Sequence, residues 1–306
     1  MGQPIEVHRG SVQAWECDQM GHLNVQFYVD KAVQGLHSLA LRLGFPPRDL
    51  RERGLALVLD RQHLRFHREQ RPGAPFYLQA ATVSASAGDW TVFEEMRAAA
   101  SGEVAATFVS DCRFVDARSR EPAGLPGGFA ERAIASRAEV PEHARPRGLD
   151  PHPPRPRPRL DEADALGLFA TYEAGVDDAQ CDAAGFMTPR HYMGAVADSI
   201  PNLLLHLTGV DRSESGRIGG AALEYRFVYH AVPRAGDVLV LRSGLVRVAA
   251  KTYTICHWLF DLGSRLAVAT AEAVAVAMDL ETRRAIEIPD DLRARLESRI
   301  VPGLGL

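Results

Sequence analysis

A chain that carries one motif twice is constrained to fold twice in the same way, and this chain does carry one. Cys17-Asp18-Gln19-Met20-Gly21-His22-Leu23-Asn24-Val25-Gln26-Phe27-Tyr28 returns as Cys181-Asp182-Ala183-Ala184-Gly185-Phe186-Met187-Thr188-Pro189-Arg190-His191-Tyr192, with Cys, Asp, Gly and Tyr in register. Those matches alone could be chance. Later landmarks keep nearly the same spacing: Arg65-Phe66 with Arg226-Phe227, Gly73 with Gly236, Asp116 with Asp279, Arg120 with Arg283, and Pro126 with Pro289. The chain therefore reads as two copies of one domain, residues 1–140 and 165–306, joined by a Pro/Arg-rich linker over 141–164. Alternating Pro and Arg favours extended polyproline II, so the linker is expected to be a semi-rigid tether.

Each copy has the same order of elements. An extended segment (Pro4 to Glu16; Phe169 to Gln180) leads into the motif, and the motif opens a long helix. In copy 1 the helix is expected from about Val25 to Leu43, with Tyr28, Val29, Ala32, Val33, Leu36, Leu39, Ala40 and Leu43 at helical spacing and Gly44 as the stop. Most of its circumference is apolar, so it belongs in a core. Strand-like runs follow at Ala56 to His67, Phe76 to Ala87, Trp90 to Ala100 and Glu103 to Asp116, and again at Ala221 to Tyr229, Val238 to Ala249, Thr252 to Asp261 and Arg265 to Asp279. A short helix closes each copy after Pro126 and Pro289. The expected class is α+β, each copy an antiparallel meander wrapped around one buried helix. Pro201, inside the second long helix, predicts a kink or break near residues 197 to 201.

Composition removes several classes of function. At 306 residues, two domains of about 140 each can bury their own cores. A net charge of −4 argues against a general nucleic-acid binder. The 4 cysteines have no paired metal-ligand spacing and are too few for a disulfide framework, which points to a reducing cytoplasm and to no bound metal. No run approaches the ~20 apolar residues of a membrane span, and the N-terminus lacks a signal-type apolar core.

The motif itself carries the chemistry. Asn24-Val25 and Thr188-Pro189 fall just before the helical pattern; Asn and Thr are good N-caps, and Pro suits the first helical position. Upstream of each cap, on the turn into the helix, sits an aspartate, Asp18 or Asp182. A helix N-terminus offers unpaired N–H groups to a carbonyl oxygen that becomes negative during acyl transfer, and a neighbouring carboxylate can act as nucleophile or general base. A turn aspartate before a helix is, by itself, more often a cap or a loop hydrogen-bonder than a catalyst. Cys17 and Cys181 flank the aspartates, but lone cysteines are usually small buried hydrophobes. His63, His67, Glu94, Glu224 and His257 lie on expected strands without an assignable face.

The run Trp15-Glu16-Cys17-Asp18-Gln19-Met20-Gly21-His22-Leu23-Asn24-Val25-Gln26-Phe27-Tyr28-Val29 resembles the signature of hotdog-fold thioesterases of the 4-hydroxybenzoyl-CoA thioesterase type. The resemblance covers both repeats and implies two hotdog domains in tandem. It implies an acyl-CoA thioesterase with Asp18 as the catalytic carboxylate and the Val25 backbone N–H polarising the thioester carbonyl. His22, Asn24 and Tyr28 then hold substrate-binding motif positions, and Asp182 is the second-site candidate. The two copies would pair within the chain as a pseudo-dimer, with a further homodimer left open. No cofactor is implied beyond the CoA of the substrate. Copy 2 departs from the pattern: Phe186 stands for His22, Thr188 for Asn24, and Pro189, which has no N–H, for Val25. A non-catalytic acyl-CoA binder, a hotdog hydratase or dehydratase and a structural tandem domain are the alternatives.

Overall fold

The computed structural model describes residues 2–86, 88–149, 151–209 and 217–306. Ala87, the expected end of a strand run, and Asp150, in the expected linker, lie outside the described residues. The chain divides into two compact units, Met1–Arg145 and Pro146–Leu306.

The first unit contains β1 (Ile5–Ser11), α1 (Val25–Arg42), α2 (Pro47–Glu52), β2 (Leu55–Phe66), β3 (Pro75–Ser86), β4 (Asp89–Ala98), β5 (Val104–Asp116) and α3 (Phe129–Ala135). Its strands lie in the order β1-β3-β4-β5-β2, every pair antiparallel. The second unit contains α4 (Leu160–Ala165), β6 (Phe169–Gly175), α5 (Pro189–Thr208), β7 (Ile218–Tyr229), β8 (Val238–Val248), β9 (Thr252–Asp261), β10 (Leu266–Asp279), the two-residue β11 (Arg284–Ala285) and α6 (Asp290–Glu297). Its order is β6-β8-β9-β10-β7, again antiparallel, with β11 added on β10. Strand for strand the two orders are the same, as the repeated sequence requires. Even an unusual turn is repeated: Asp116 and Asp279 each accept two backbone N–H groups, and Arg120 and Arg283 each take a positive φ, 62° and 56°.

The central helices form for local reasons that their sequences state. Asn24 Oδ1 accepts from the Gln26 N–H at 3.1 Å and caps α1. The helix ends in a Schellman arrangement, with the Gly44 N–H on Leu41 O, the Phe45 N–H on Ala40 O, and Gly44 at φ +84°. Between these caps Val29, Ala32, Leu36, Leu39 and Ala40 are buried, and α1 packs against β1, β3 and β4. Phe129 of α3 closes the first unit's aromatic core, with its ring 5.0 Å from Trp90, 5.0 Å from Phe114 and 4.9 Å from Phe45. Burial of one such side chain stabilises by roughly 1.5–3 kcal/mol.

One expectation is corrected. The break at Pro201 does not occur: α5 is continuous from Pro189 to Thr208. Burial of Leu203 and Leu207, the Asn202 side chain donating to Thr171 O at 3.0 Å, and the Ser199 hydroxyl donating to Val196 O at 2.7 Å hold the helix through the proline. Tertiary packing outweighs the local cost. Pro201 is exposed, so Pro201→Ala restores a backbone donor without removing packing, and we expect stability to rise by about 1–3 kcal/mol. An unchanged melting temperature would show that the helix has no missing bond to regain.

The segment expected as a semi-rigid tether is in addition bonded along its length to the second unit. The Arg155 N–H donates to Leu306 O at 2.9 Å, the Arg155 guanidinium lies 4.8 Å over the Trp258 ring, and Arg157 Nε donates to Ala267 O at 2.6 Å. Upstream, the N–H groups of Arg147 and Gly148 both donate to the Glu224 carboxylate, at 3.0 and 2.7 Å. Leu149 and Leu160 are buried. A polyproline segment has few backbone donors of its own to satisfy, so its arginines fasten it to the second sheet. Among the described residues, no helix is long and apolar enough to cross a membrane.

Candidate active site

The two motif loops are built by the same hydrogen bonds. In copy 1 the Asp18 N–H donates to His22 O and the Gly21 N–H to Asp18 O, each at 3.0 Å; in copy 2 the Asp182 N–H donates to Phe186 O at 2.8 Å and the Gly185 N–H to Asp182 O at 2.9 Å. Gly21 and Gly185 take φ of 74° and 78°, a region where a side chain is strained, which is why glycine recurs there. The Asn24 N–H donates to Glu16 O and the Thr188 N–H to Gln180 O, closing each loop at the base of its helix. Each aspartate Oδ1 accepts a backbone N–H two residues on, from Met20 at 2.8 Å or Ala184 at 2.9 Å.

Within this shared frame the copies differ. Asp182 accepts a second backbone N–H, from Phe186 at 3.1 Å. Asp18 instead faces His22, with Nδ1 at 3.4 Å from Oδ2, and His22 Nε2 lies 3.7 Å from Glu69 Oε1. Both side chains remain reachable from solvent, Asp18 at 18% and His22 at 22%. At the helix start the Val25 N–H has no acceptor among the described residues, and Pro189 has no N–H at all. The structure thus places Asp18, His22 and an unused N–H of the α1 N-terminus within one tight loop and its helix.

Other sequence candidates fall elsewhere. The Asn24 side chain is committed to its cap. Tyr28 is buried at 3% exposure, in edge contact with Phe66 at 5.0 Å and bonded to the backbone of Gln70. Tyr192 is likewise buried in edge contact with an aromatic ring, that of Tyr229 at 5.2 Å, and its hydroxyl donates to Ala231 O at 2.8 Å. Burial, with Asp18 and Glu16 nearby, raises the Cys17 thiol above its ordinary range, which disfavours a thiolate. His67 sits at the end of β2 with its ring 6.0 Å from His143, and His63 lies half-buried on β2. Glu224 holds the linker. No cluster of three or more potential ligands for a metal ion occurs among the described residues.

Glu94 and His257 occupy one and the same place in their sheets. Glu94 pairs with Ala80 and Phe108, and His257 with Ser243 and Ala271, at matching positions of β3/β8 and β5/β10. Both are fully buried. Burial pushes the Glu94 carboxyl well above the usual range and the His257 imidazole down to about 3, so each is driven toward its neutral form. His257 Nδ1 bonds the Ser243 hydroxyl at 2.8 Å, which in turn meets Thr171 at 2.9 Å. Neither Glu94 oxygen has a hydrogen-bond partner among the described residues.

Sequence reasoning did not single out Glu69, Glu16 or Lys31. Lys31 Nζ sits 2.5 Å from Glu16 Oε1, with the two side chains only 12% and 6% exposed. A lone lysine on a helix whose circumference is mostly apolar was the available signal.

A family model described as the thioesterase-like superfamily matches residues 12–133 and 176–296. No curated protein matches the chain in sequence. Solved structures are similar over nearly its whole length: a protein of Lactobacillus plantarum described as an oleoyl thioesterase (14% identity, 90% of this chain and 96% of that one, TM-score 0.67), an acyl-ACP thioesterase of Bacteroides thetaiotaomicron (14%, 88% and 96%, 0.64) and the 12:0-ACP thioesterase of Umbellularia californica (13%, 88% and 93%, 0.65). At such identities these likenesses speak for the fold, and it is the family model, matching both repeats, that speaks for descent. The chain belongs to the thioesterase-like superfamily, as a tandem hotdog protein of the thioester-hydrolase class.

Proposed function

We propose that copy 1 hydrolyses an acyl thioester, an acyl-CoA or a similar fatty-acyl thioester, to the free acid and thiol, with Asp18 as the reacting carboxylate. The observation that carries this reading is the unused Val25 N–H at the start of α1, in the same loop-and-helix unit as a solvent-reachable carboxylate. The thioester oxygen accepts from that N–H, and the positive end of the helix dipole favours the oxyanion. Asp18 Oδ2 attacks the carbonyl carbon, the C–S bond breaks, and the thiolate leaves and takes a proton from water; water then opens the mixed anhydride and regenerates Asp18. In the alternative route Asp18 removes a proton from the attacking water, and the same two groups serve.

His22, between Asp18 and Glu69, orients the carboxylate and lines the site. Asn24 acts through the helix start that it caps, and Tyr28 through packing. Asp182 is a loop former, since it holds two backbone N–H groups and its helix begins with proline. Fatty-acyl groups are the proposed substrates because solved structures similar over 88–90% of the chain are named as an oleoyl thioesterase, an acyl-ACP thioesterase and a 12:0-ACP thioesterase. Free cysteines fit a reducing compartment, and the cytoplasm is the proposed setting. A thiol-detecting assay on matched fatty-acyl-CoA and fatty-acyl-carrier-protein esters tests the proposal: we expect thiol release from at least one carrier. Saturable binding of both without release would sink hydrolysis and leave the acyl-CoA binder, and hydration of an enoyl-CoA would favour the hydratase.

A further inference from the structure

The buried Lys31–Glu16 ion pair is present in copy 1 and has no counterpart in copy 2, although the loop beneath it is the same. Glu16 holds three things at once. Its backbone oxygen accepts from the Asn24 N–H at 2.9 Å and closes the loop that bears Asp18 and His22. Its Oε2 accepts from the Gln13 N–H at 3.0 Å, and its Oε1 meets Lys31 Nζ at 2.5 Å, nearly two turns along α1 from Val25.

In copy 2, Gln180 stands for Glu16 and Ala195 for Lys31. Gln180 O accepts from the Thr188 N–H at 3.0 Å, and Gln180 Oε1 accepts from the Asp177 N–H at 2.9 Å. The loop closure and the cap are therefore both achieved by a neutral amide, and Ala195 has nothing to offer a carboxylate. What copy 1 adds is one charge of each sign, buried together. Desolvation offsets most of the attraction in such a pair, so it is weak evidence for a contribution to stability, and copy 2 shows that the loop forms without it. The addition coincides with the features that only copy 1 keeps: His22 against Asp18, and an N–H at the first residue of the helix. Lys31 further lies 3.5 Å from Asp30, so its ammonium is held between two carboxylates, one on the loop base and one on the helix.

We propose that Lys31 and Glu16 are positioning residues for the thioesterase reaction, fastening the base of the Asp18 loop to α1 so that the carboxylate and the Val25 N–H keep a fixed mutual geometry. This rests on the reading of Asp18 as the reacting carboxylate. Displacement of a reacting group by about 1 Å is enough to cost ~10²-fold in rate, which is the scale on which such a fastening acts.

The test is the double variant Glu16→Gln/Lys31→Ala, which installs the residues of copy 2 and removes both members of the buried pair, leaving the part-exposed Asp30 with its hydrogen bond from Gln34. It is assayed beside Asp18→Asn and beside the triple variant that combines them, all in the full chain. We expect the double variant to melt within a few degrees of the parent and to lose ~10-fold or more in kcat with KM changed less than about 3-fold, and the triple variant to be no slower than Asp18→Asn alone. A purely structural pair would move the melting temperature and leave kcat in place. Unchanged kcat in the double variant overturns the proposal. So does a triple variant slower than Asp18→Asn by the same factor, because the pair would then act independently of Asp18. Full activity of Asp18→Asn, read on a separate protein, refutes the assignment of the carboxylate itself. Glu16→Asp/Lys31→Arg, which keeps the charges, should recover part of the lost kcat.

Discussion

Replacing Asp18 with asparagine is expected to lower thioester hydrolysis by ~10²-fold or more, while Asp182→Asn leaves it within about 3-fold of the parent. The change is nearly isosteric, and an amide oxygen can still accept the Met20 N–H as Asp18 Oδ1 does, so the loop should keep its shape. Only the oxygen facing His22, the proposed nucleophile or base, is lost. Asp182 differs because its Oδ1 accepts the Ala184 and Phe186 N–H groups, which an asparagine oxygen can also do. The complementary variant is Val25→Pro. Asn24 already has ψ of 141°, the extended conformation that a residue before proline prefers, and the Val25 N–H bonds to nothing in the described protein. The helix should survive, as α5 does with Pro189, while hydrolysis falls by ~10²–10³, the usual consequence of deleting one oxyanion donor. Steady-state kinetics on the three variants decides the matter. Equal losses from Asp18→Asn and Asp182→Asn would mean that both copies work, and a larger loss from Asp182→Asn would move the active carboxylate to copy 2.

The second large effect concerns stability and Glu94. A fully buried carboxyl with neither oxygen partnered among the described residues destabilises the fold whenever the unfolded chain can ionise it. Burial raises its folded pKa well above the ordinary carboxyl value of about 4.5. The sign follows: protonated Glu94 is tolerated below about pH 4.5, and the native state loses stability progressively as pH climbs from there toward the raised folded value. Glu94→Met, similar in length and without charge, should therefore stabilise the protein at pH 8 by about 1–4 kcal/mol and by much less at pH 5. Urea unfolding at the two pH values measures the difference; a gap independent of pH would show that something else satisfies the carboxyl. Gly35 of α1 offers a second probe, because a methyl group there would collide with Glu94 Oε1. Gly35→Ala is expected to cost about 1–3 kcal/mol and to be rescued by Glu94→Ala.

The fold was legible where information is local or repeated. Asn24 and Pro189 mark the same helix start by different chemistry, Gly44 marks the end, and matched turns such as Asp116 and Asp279 recur after the same strand. The α+β class followed from those elements, and the hotdog fold from the family motif. What escaped involves residues brought together from different elements. Nothing in the spacing of Glu16 and Lys31 says that a loop base will meet a helix face. Glu94 and His257 were visible as polar residues on strands, but a shift of one residue in strand parity decides between solvent and core, and the bulges in these ladders blur it. Pro201 was read by its local cost alone, whereas Leu203, Leu207 and Asn202 supply the tertiary contacts that outweigh it.

The fastening of the Pro/Arg segment has a practical consequence for taking the gene apart. Composition invites a cut anywhere in residues 141–164, as though that stretch belonged to neither half. A second half begun at residue 165 would lose the arginine lying on Trp258, the donor to Ala267 O and the strand-like contact of Arg159 with Leu266, and so would present an uncovered tryptophan and unpaired sheet edge to solvent. Begun at Pro146, the same half keeps its own strap. Poor behaviour of the shorter piece would then report a misplaced boundary and would say nothing about whether a lone hotdog of this type can fold.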